Sequence, residues 1–309
     1  MDLAIVTVSF NVKELLAACL ESALAGLERS GLAGELWVVD NASADGSAAM
    51  IRERFPAVRL IAHDCNLGFA AGNNLALKAI ESLAPRHVLF LNPDTRVQSD
   101  ALGELVRFLD KTPAAGIAGA RLVHGDGGFQ HSAFAFPGLA QIFLDLFPLH
   151  HRLLESRLNG RYPRRLYASG RPFAVDHPLG AALMIRSEAL KQVHGFDERY
   201  YIYCEEIDLC RRVEAAGWSI YCVPTAEIVH LVAQSTRQFR DRMFIALWRS
   251  RFLMFDRYES RAWCWLARRL VRLGLRMAAR QAQAAYRRGE IGERELNGRL
   301  AAYREVATL

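Results

Sequence analysis

The densest group of acidic and aromatic side chains lies in the segment FDERYYIYCEEIDLCRR, residues 196–212. A carboxylate near apolar groups holds a proton more strongly and can take one from a hydroxyl at neutral pH, as a general base does. The segment offers five such candidates: Asp197, Glu198, Glu205, Glu206 and Asp208. Acidic residues also stabilise the first turn of any helix, which explains part of the cluster. The aromatic residues before it are less typical of a solvated surface, so the segment is a candidate for catalysis.

Polar side chains also follow two predicted strands, in VVDNASADGS (residues 38–47) and CNLGFAAGNN (residues 65–74). Asp40 could accept a hydrogen bond from a base or a ribose hydroxyl, although an Asx turn and a helix cap explain the same residues. In the second segment, Gly68 and Gly72 allow a ligand to approach the backbone closely. The same segment offers side-chain amides at a helix start: Asn66, Asn73 and Asn74. This is more polarity than a helix cap needs, so we predict ligand contact there.

A third polar segment, LFLNPDT (residues 89–95), presents Asp94 just beyond a predicted strand. A lone carboxylate here could hold a hard divalent cation, which often shares its shell between one or two carboxylates and phosphate oxygens. A type I turn explains the same residues, so the segment alone leaves both interpretations open. His230, at the end of an apolar run, could be a further metal ligand, although a lone histidine is more often structural.

These segments must be positioned by the alternating elements of the first 120 residues. Apolar runs predict strands at 3–9, 36–39, 58–62, 88–91 and 116–119, and helical periodicity predicts helices at 14–28, 47–55, 71–83 and 100–109. Such βαβα alternation indicates a parallel sheet with helices on both faces, whose ligands bind beyond the carboxyl ends of the strands. Residues 122–178 are predicted to be irregular. A strand at 180–186, a helix at 204–216, a strand at 219–223 and, from about Gln238, long helix are predicted to follow.

Composition excludes several classes of protein. The chain has 309 residues, of which 51% are hydrophobic, with 22 Gly and 10 Pro, so it is neither disordered nor collagen-like. Its six cysteines form no CxxC pair, and its N-terminus lacks the pattern of a signal peptide, which together predict a reducing cytoplasm. No apolar run is long enough to cross a bilayer. The motifs of P-loop kinases, GxSxG hydrolases, HExxH zincins and GxGxxG dehydrogenases are absent.

The charge is unevenly distributed, with an acidic body and a basic C-terminal region. From Arg237 onward there are 17 arginines, no lysine and seven acidic residues, in a chain whose net charge is +6. Trp, Phe, Leu and Met share these predicted helices with the arginines, which favours an amphipathic surface near anionic lipid. The alternative is packing on the catalytic domain or on a second copy in a homodimer. Nucleic acid is disfavoured as a partner, because no recognition motif accompanies the charge.

In this order, the motifs VTVSFN, VVDNASADGS, NLGFAAGNN with LFLNPDT, and GFDERYYIYCEEIDLCRR resemble those of the inverting family 2 glycosyltransferases. The resemblance is to the rhamnosyltransferase-like subgroup of bacterial polysaccharide biosynthesis and extends from Leu3 to about His230. It implies a GT-A fold, with a nucleotide-binding, mostly parallel α/β sheet and flanking helices, to which amphipathic C-terminal helices are added. It also implies a nucleotide-diphosphate sugar donor and Mg²⁺ or Mn²⁺.

The resemblance also implies roles for individual residues. Those that match the nucleotide cradle and the loop after the third strand are Ser9, Asn11, Asp40, Asn41, Asn66, Gly68 and Asn73. Asp94 matches the metal-binding carboxylate of a DxD-type motif, whose first Asp is replaced by Asn92 here. Glu206 matches the catalytic base, which the family more often supplies as Asp, and Glu205 and Asp208 are alternatives for the same role. Arg212 and His230 match residues that face the donor phosphates or the metal.

The function implied is metal-dependent, inverting transfer of a sugar, rhamnose from dTDP-rhamnose by the subgroup's pattern, to a lipid-linked glycan of the cell surface. UDP- or GDP-sugar donors and a non-catalytic scaffold subunit are alternatives. We predict a catalytic domain at 1–236, with a donor half at 1–120 and an acceptor half at 121–236, and an Arg-rich helical extension at 237–309. The predicted location is the inner, cytoplasmic face of the cell membrane. Convergence of Asp40, Asp94 and Glu206 on one cleft would favour the enzyme over the scaffold.

Overall fold

The computed structural model describes residues 1–147, 150–231 and 240–309. These residues form two compact units, the first made of 1–135, 162–201 and 205–231 and the second of 136–147, 150–161, 202–204 and 240–309. The predicted domain boundary at 236/237 lies outside the described residues. The second unit includes short segments that the sequence prediction assigned to the acceptor half.

The strands of the described chain all belong to the first unit. They are β1 (Leu3–Ser9), β2 (Gly34–Asn41), β3 (Arg59–His63), β4 (His87–Leu91), β5 (Thr95–Val97), β6 (Ala115–Val123), β7 (Ala133–Phe134), β8 (Phe173–Ala174), β9 (His177–Pro178), β10 (Ala182–Arg186) and β11 (Ser219–His230). The helices of both units, numbered along the chain, are α1 (Lys13–Ser30), α2 (Ser47–Arg54), α3 (Phe69–Ile80), α4 (Ala101–Lys111), α5 (Leu139–Leu146), α6 (His151–Leu154), α7 (Arg164–Ala168), α8 (Ser187–Val193), α9 (Glu205–Ala215), α10 (Arg240–Tyr258), α11 (Arg261–Arg287) and α12 (Glu293–Thr308).

A nine-stranded sheet organises the first unit, in the order β3-β2-β1-β4-β10-β6-β11-β5 with β8 paired to β11. Every residue of β1 and of β4 is buried, which is typical of strands covered by helices on both faces. Strands β3, β2, β1 and β4 are mutually parallel, so their carboxyl ends meet at one edge, as predicted. The core beneath this edge is aliphatic and includes Leu16, Leu20, Leu36 and Leu89.

The centre of the sheet departs from a purely parallel arrangement, because β10 is antiparallel to both β4 and β6. Residues 122–178, predicted to be irregular, contain the short helices α5 to α7 and the short strands β7 to β9. The chain thus reaches β10 without the single crossover helix that a parallel connection uses. Strand β10 therefore begins at the edge where β4 ends. Strand β11 is longer than the predicted 219–223, since it continues past Pro224 through a register shift between Val223 and Glu227.

The second unit is helical. Its helix α11 packs against α5 and α12, and α10 packs against α12. Trp248 and Phe255 of α10 are almost fully buried in this unit, which explains why an arginine-rich sequence forms a stable helical assembly. The helices follow the predicted long helical pattern, whose start at Gln238 lies outside the described residues. Within the described chain, no helix combines the length and the apolar character needed to cross a bilayer.

Candidate active site

Buried polar atoms without partners are concentrated where β1, β2 and β4 end. Ser9 Oγ, Asp40 Oδ1, Asn41 Oδ1 and Asn92 Oδ1 are buried and have no hydrogen-bond partner among the described residues. Ser9 and Asp40 are register partners on adjacent strands, and Asn92 directly follows β4. Because buried polar atoms are normally paired, a group of such atoms at one sheet edge indicates a polar ligand. Carboxylate and amide oxygens here can accept hydrogen bonds from a base or a sugar.

The loop after β2 is joined to the loop after β1 by side-chain hydrogen bonds. The backbone NH of Asn11 donates to Ser43 Oγ (3.0 Å), and the backbone NH of Ala44 donates to Asn11 Oδ1 (2.8 Å). Asp40 Oδ2 accepts from the Ser43 NH (3.1 Å), so only one oxygen of this carboxylate is used inside the protein. Asn11 thus shapes the loops, and its predicted contact with a nucleotide remains a prediction. The sequence indicated only a turn or a helix cap for Ser43, whereas the fold also gives it the contact with Asn11.

The loop between β3 and α3 is held in place by the amides that the sequence singled out. Asn66 Oδ1 accepts from the Gly68 NH (2.9 Å), and Asn41 Nδ2 donates to the Gly68 carbonyl (3.1 Å). Asn73 is buried and donates to the Phe69 carbonyl one helical turn earlier (2.9 Å). Asn66 and Asn73 therefore position the loop, while the predicted ligand contacts of this loop stay predictions.

Gly68 is required at its position by backbone geometry. Its φ is +85°, and a Cβ placed there would lie 2.4 Å from the carbonyl oxygen of Tyr201. The next NH, from Phe69, donates to that same oxygen (2.8 Å). The loop after β3 thus lies directly against the chain that leads to α9. Sequence reasoning missed Tyr201, because only the fold brings it to this loop.

Asp94 and His230 are brought together by the antiparallel pairing of β5 with β11. His230 Nε2 lies 3.5 Å from Asp94 Oδ1, and each residue is only 6% exposed. The Leu231 NH donates to the Asp94 carbonyl (2.9 Å), which fixes the two backbones relative to each other. Gln130 Nε2 lies 3.0 Å from His230 Nδ1 and so restrains the imidazole ring. Gln130 was not among the predicted site residues, because nothing in the local sequence connects it to His230.

The donor set at this position fits a hard divalent cation. Asp94 supplies a carboxylate and His230 a ring nitrogen, and Asn92, two residues before Asp94, has a buried side-chain oxygen, Oδ1, with no partner among the described residues. The described residues contain no group of three or more His, Cys, Asp or Glu side chains arranged as a metal site. A cation held here would therefore take much of its shell from other oxygens, as Mg²⁺ and Mn²⁺ do when they bind with phosphates.

Two adjacent glutamates begin α9, and both have raised pKa values. Burial raises the pKa of Glu206 from 4.5 to about 7. Burial also raises the pKa of Glu205 well above its usual range, and the neighbouring Glu206 charge adds to that effect. Glu205 is only 6% exposed, and its Oε2 atom has no hydrogen-bond partner among the described residues. The pair can hold a proton near neutral pH, which is what a general base in this position requires.

The backbone at the start of β10 connects the glutamate pair to the turn that carries Asp94. The Asn92 NH donates to the Ala181 carbonyl (2.9 Å). The preceding residue, Gly180, lies against the Glu206 side chain, since a Cβ at Gly180 would be 3.3 Å from Glu206 Cβ. One short stretch of chain thus contacts both the end of β4 and Glu206. β10 begins beside the end of β4, and β1 and β2 follow β4 in the sheet. The predicted base and the unpartnered oxygens therefore lie towards the same edge of the sheet.

Asp208 and Arg212 have a different environment. Asp208 is fully buried, and Arg212 Nε donates to its Oδ2 (2.7 Å) from one helical turn away. Arg212 also donates through Nη1 to the Val193 carbonyl at the end of α8. These contacts place Arg212 in the packing of α8 against α9, and its predicted role at the donor phosphates remains a prediction. Asp208 is committed to an ion pair, so Glu206 is the better candidate for the base.

Comparison with known proteins identifies the family. Residues 4–192 match the family described as Glycosyl transferase family 2. The chain is 32% identical over 209 residues to N-acetylglucosaminyl-diphospho-decaprenol L-rhamnosyltransferase of Mycobacterium tuberculosis, covering 64% of this chain and 67% of that protein. It is 28% identical over 183 residues to rhamnosyltransferase WbbL of Escherichia coli K12, covering 57% of this chain and 66% of that protein.

Solved structures share the fold. The mannosyltransferase PcManGT from Pyrobaculum calidifontis, in complex with GDP-Man and Mn²⁺, matches with a TM-score of 0.56 and 18% identity, covering 99% of this chain and 83% of that one. GalNAc-T7 with UDP, GalNAc and Mn²⁺ matches with a TM-score of 0.56 and 14% identity, covering 74% of this chain and 44% of that one. The predicted GT-A fold is confirmed. With the family match over more than half of its length, this chain belongs to glycosyl transferase family 2 and is a glycosyltransferase.

Proposed function

We propose that this glycosyltransferase moves rhamnose from dTDP-rhamnose to a hydroxyl of a lipid-linked glycan during the synthesis of a cell-surface polysaccharide, with inversion at the sugar. One structural observation carries the chemical part of the proposal. A glutamate with a pKa of about 7 lies at the sheet edge that also holds buried, unpartnered oxygens and the Asp94–His230 pair. The relatives named as rhamnosyltransferases support the choice of sugar.

The nucleotide would bind at the ends of β1 and β2. Asp40 Oδ1 is the strongest acceptor among the unpartnered atoms, because it is a buried carboxylate oxygen whose companion is already fixed by Ser43. Ser9, the register partner of Asp40 on β1, adds a hydroxyl, and Asn41, the next residue of β2, adds an amide. These groups suit the imide and hydroxyl donors of a pyrimidine nucleoside.

The diphosphate would lie beyond β4, with Asp94, His230 and Asn92 holding a divalent cation beside it. When bound, Mg²⁺ or Mn²⁺ supplies positive charge that stabilises the departing diphosphate. Gln130 keeps the His230 ring in one orientation through its contact with Nδ1. The Asn92 NH donates to the Ala181 carbonyl, just before β10, so the Asn92 backbone is fixed relative to the sheet.

Glu206 would remove the proton from the acceptor hydroxyl as that oxygen bonds to the anomeric carbon. The bond from this carbon to the diphosphate oxygen breaks at the same time, and its electron pair leaves with the diphosphate, so the product is inverted. A base with a pKa of about 7 is ionised in a useful fraction of molecules at neutral pH and still binds the proton well. Gly180 leaves space beside Glu206, where a larger residue would crowd the carboxylate.

The acceptor is proposed from the relatives, one of which is named for a substrate built on diphospho-decaprenol. An acceptor of this kind is anchored in a bilayer, so the enzyme would work as a peripheral protein on the cytoplasmic face of the cell membrane. In this proposal the first unit carries out the chemistry. The arginine-rich helices of the second unit hold the enzyme at the membrane.

Isothermal titration of the purified chain with dTDP, UDP and GDP, each with and without Mn²⁺, tests the proposal. Binding of dTDP in preference to the others, strengthened by Mn²⁺, would support it. A preference for UDP or GDP would retain the enzyme and replace the donor. No binding of any nucleotide would favour a non-catalytic scaffold. Glu188→Gln, which changes an exposed glutamate of α8, serves as a control variant with unchanged nucleotide affinity.

A further inference from the structure

We propose that one exposed side of helix α11 docks on an anionic lipid bilayer. This side, called here the α11 face, consists of Trp265, Leu266, Arg269, Arg272, Leu273, Arg276 and Arg280, all of which are exposed. The inference rests on the proposed function for its purpose, because a lipid-linked acceptor must be reached at a membrane. Its structural argument concerns the second unit alone.

Large apolar side chains are concentrated on this face. Trp265 is 60% exposed, Leu273 56% and Leu266 47%. Spacings of seven and eight residues put Leu266 and Trp265 on the same side of the helix as Leu273, two turns away. Isolated exposed leucines are ordinary in proteins, whereas an aromatic and two leucines on one helix face indicate a partner.

The orientation of the face is fixed by packing on the other side of the helix. Cys264, Ala267, Val271 and Leu275 are buried, and α11 packs through this side against α5 and α12. A Cβ at Gly274 would lie 2.6 Å from Leu146 Cβ, so the glycine allows α5 to approach closely. The apolar residues of the α11 face therefore cannot rotate inward without breaking this packing.

Charge selects the kind of partner. Helix α11 contains seven arginines and no acidic residue. The four on the exposed face, Arg269, Arg272, Arg276 and Arg280, form no ion pair within the part of the chain that the structure describes. Arg269 lies over the Trp265 ring at 5.1 Å, and Arg272 Nε donates to the Ala307 carbonyl (3.0 Å), so each retains its positive charge.

Arginine beside tryptophan and leucine is the composition of a helix that lies in the interface of an anionic bilayer. The guanidinium groups would contact lipid phosphates while the indole and the leucines enter the acyl boundary. A second copy of the chain fits less well, because a two-fold interface through this face would bring its four arginines close to four others without counter-charge.

Pelleting of the full chain with vesicles, in the absence of any nucleotide, tests the inference. One set of vesicles contains phosphatidylcholine alone and the other contains phosphatidylcholine with phosphatidylglycerol. We expect binding only to the second set, weakened by added salt. Replacing two arginines together, by Arg276→Ala and Arg280→Ala, should weaken the binding by about 30-fold, because each basic residue contributes roughly a fivefold factor.

The apolar contribution is tested by Trp265→Ser with Leu273→Ser, which should weaken vesicle binding by at least about tenfold. The control is Leu158→Ser, since Leu158 is 59% exposed in the same unit but lies outside α11. Brominated lipid should quench the tryptophan fluorescence of the bound chain, and this quenching should fall when Trp265 is changed to Phe. The measurement reports insertion of Trp265 independently of affinity.

Equal binding to neutral and anionic vesicles, or variants that bind like the parent chain, would overturn the inference. Light scattering that shows a dimer, dissociated by the same substitutions, would assign the face to a second copy instead. Failure here is distinguishable from failure of the proposed function, because nucleotide titration needs no vesicle. A chain that binds dTDP but ignores anionic lipid would refute only the docking surface.

Discussion

Replacing Glu206 by glutamine should stabilise the folded chain at alkaline pH while it strongly slows sugar transfer. The folded protein holds the pKa of this carboxyl at about 7, against an ordinary value of 4.5. Its ionised form is therefore disfavoured in the folded state, and the wild-type chain loses stability as the pH rises through this interval. Glutamine is isosteric and never ionises, so the variant avoids the loss.

The magnitude follows from the two pKa values. A tenfold change in proton affinity corresponds to about 1.4 kcal/mol, so the full cost of ionising Glu206 in the fold is about 3 kcal/mol. Between about pH 5.5 and about pH 8, the wild-type free energy of unfolding should fall by about 2 kcal/mol relative to that of the variant. Glu205 acts in the same direction, because removal of the Glu206 charge makes Glu205 easier to ionise.

Urea denaturation of both chains across this pH range measures the effect. The change in their stability difference from one pH to the other excludes any effect of the substitution that does not depend on pH. Wild-type kcat/KM should fall below about pH 7, as the base becomes protonated, and E206Q should lose about 100-fold or more of the activity. E206D should retain measurable activity, and E188Q should change neither the stability profile nor the rate. A stability difference that does not vary with pH would refute the reasoning about burial.

Three further perturbations probe separate parts of the site. Asp208→Asn should lower the free energy of unfolding by about 1–3 kcal/mol, because it removes the charged partner of the partly buried Arg212; urea denaturation measures this. Asp94→Asn should remove the Mn²⁺-dependent part of nucleotide binding in calorimetry, because the carboxylate is the charged donor of the pair with His230. Gly68→Ala should cost about 1–3 kcal/mol of stability, since the new Cβ meets the backbone at 2.4 Å.

Matched variants separate these effects from general damage. Gly127 also has a positive φ, but a Cβ there meets nothing within 4 Å, so Gly127→Ala measures the strain of φ alone. If G127A costs as much as G68A, the close contact after β3 is not responsible. For D94N, Asp64→Asn changes an exposed carboxylate and should leave metal dependence intact. D208N with unchanged stability would contradict a buried ion pair.

The sequence alone located strands β1 to β4 and the polar segments that follow them. The apolar run 3–9 predicted β1 with its observed bounds, because a strand buried on both faces needs only continuous hydrophobicity. Parallel topology then required Asp40, the loop after β3 and the turn with Asp94 to share one edge. The acidic start of α9 was also visible, since helix periodicity and acidic residues are local signals.

Tertiary structure decided which of these residues meet. The contact between Asp94 and His230 joins the start of β5 to the end of β11, which are far apart in the sequence. The antiparallel entry of β10 brings Gly180 against Glu206. Gln130 became part of the site only through its contact with His230. Local patterns record burial and periodicity over a few residues, whereas these contacts depend on strand order and backbone direction. The raised pKa of Glu206 also depends on the tertiary structure, because it arises from the burial of the carboxyl in the folded chain.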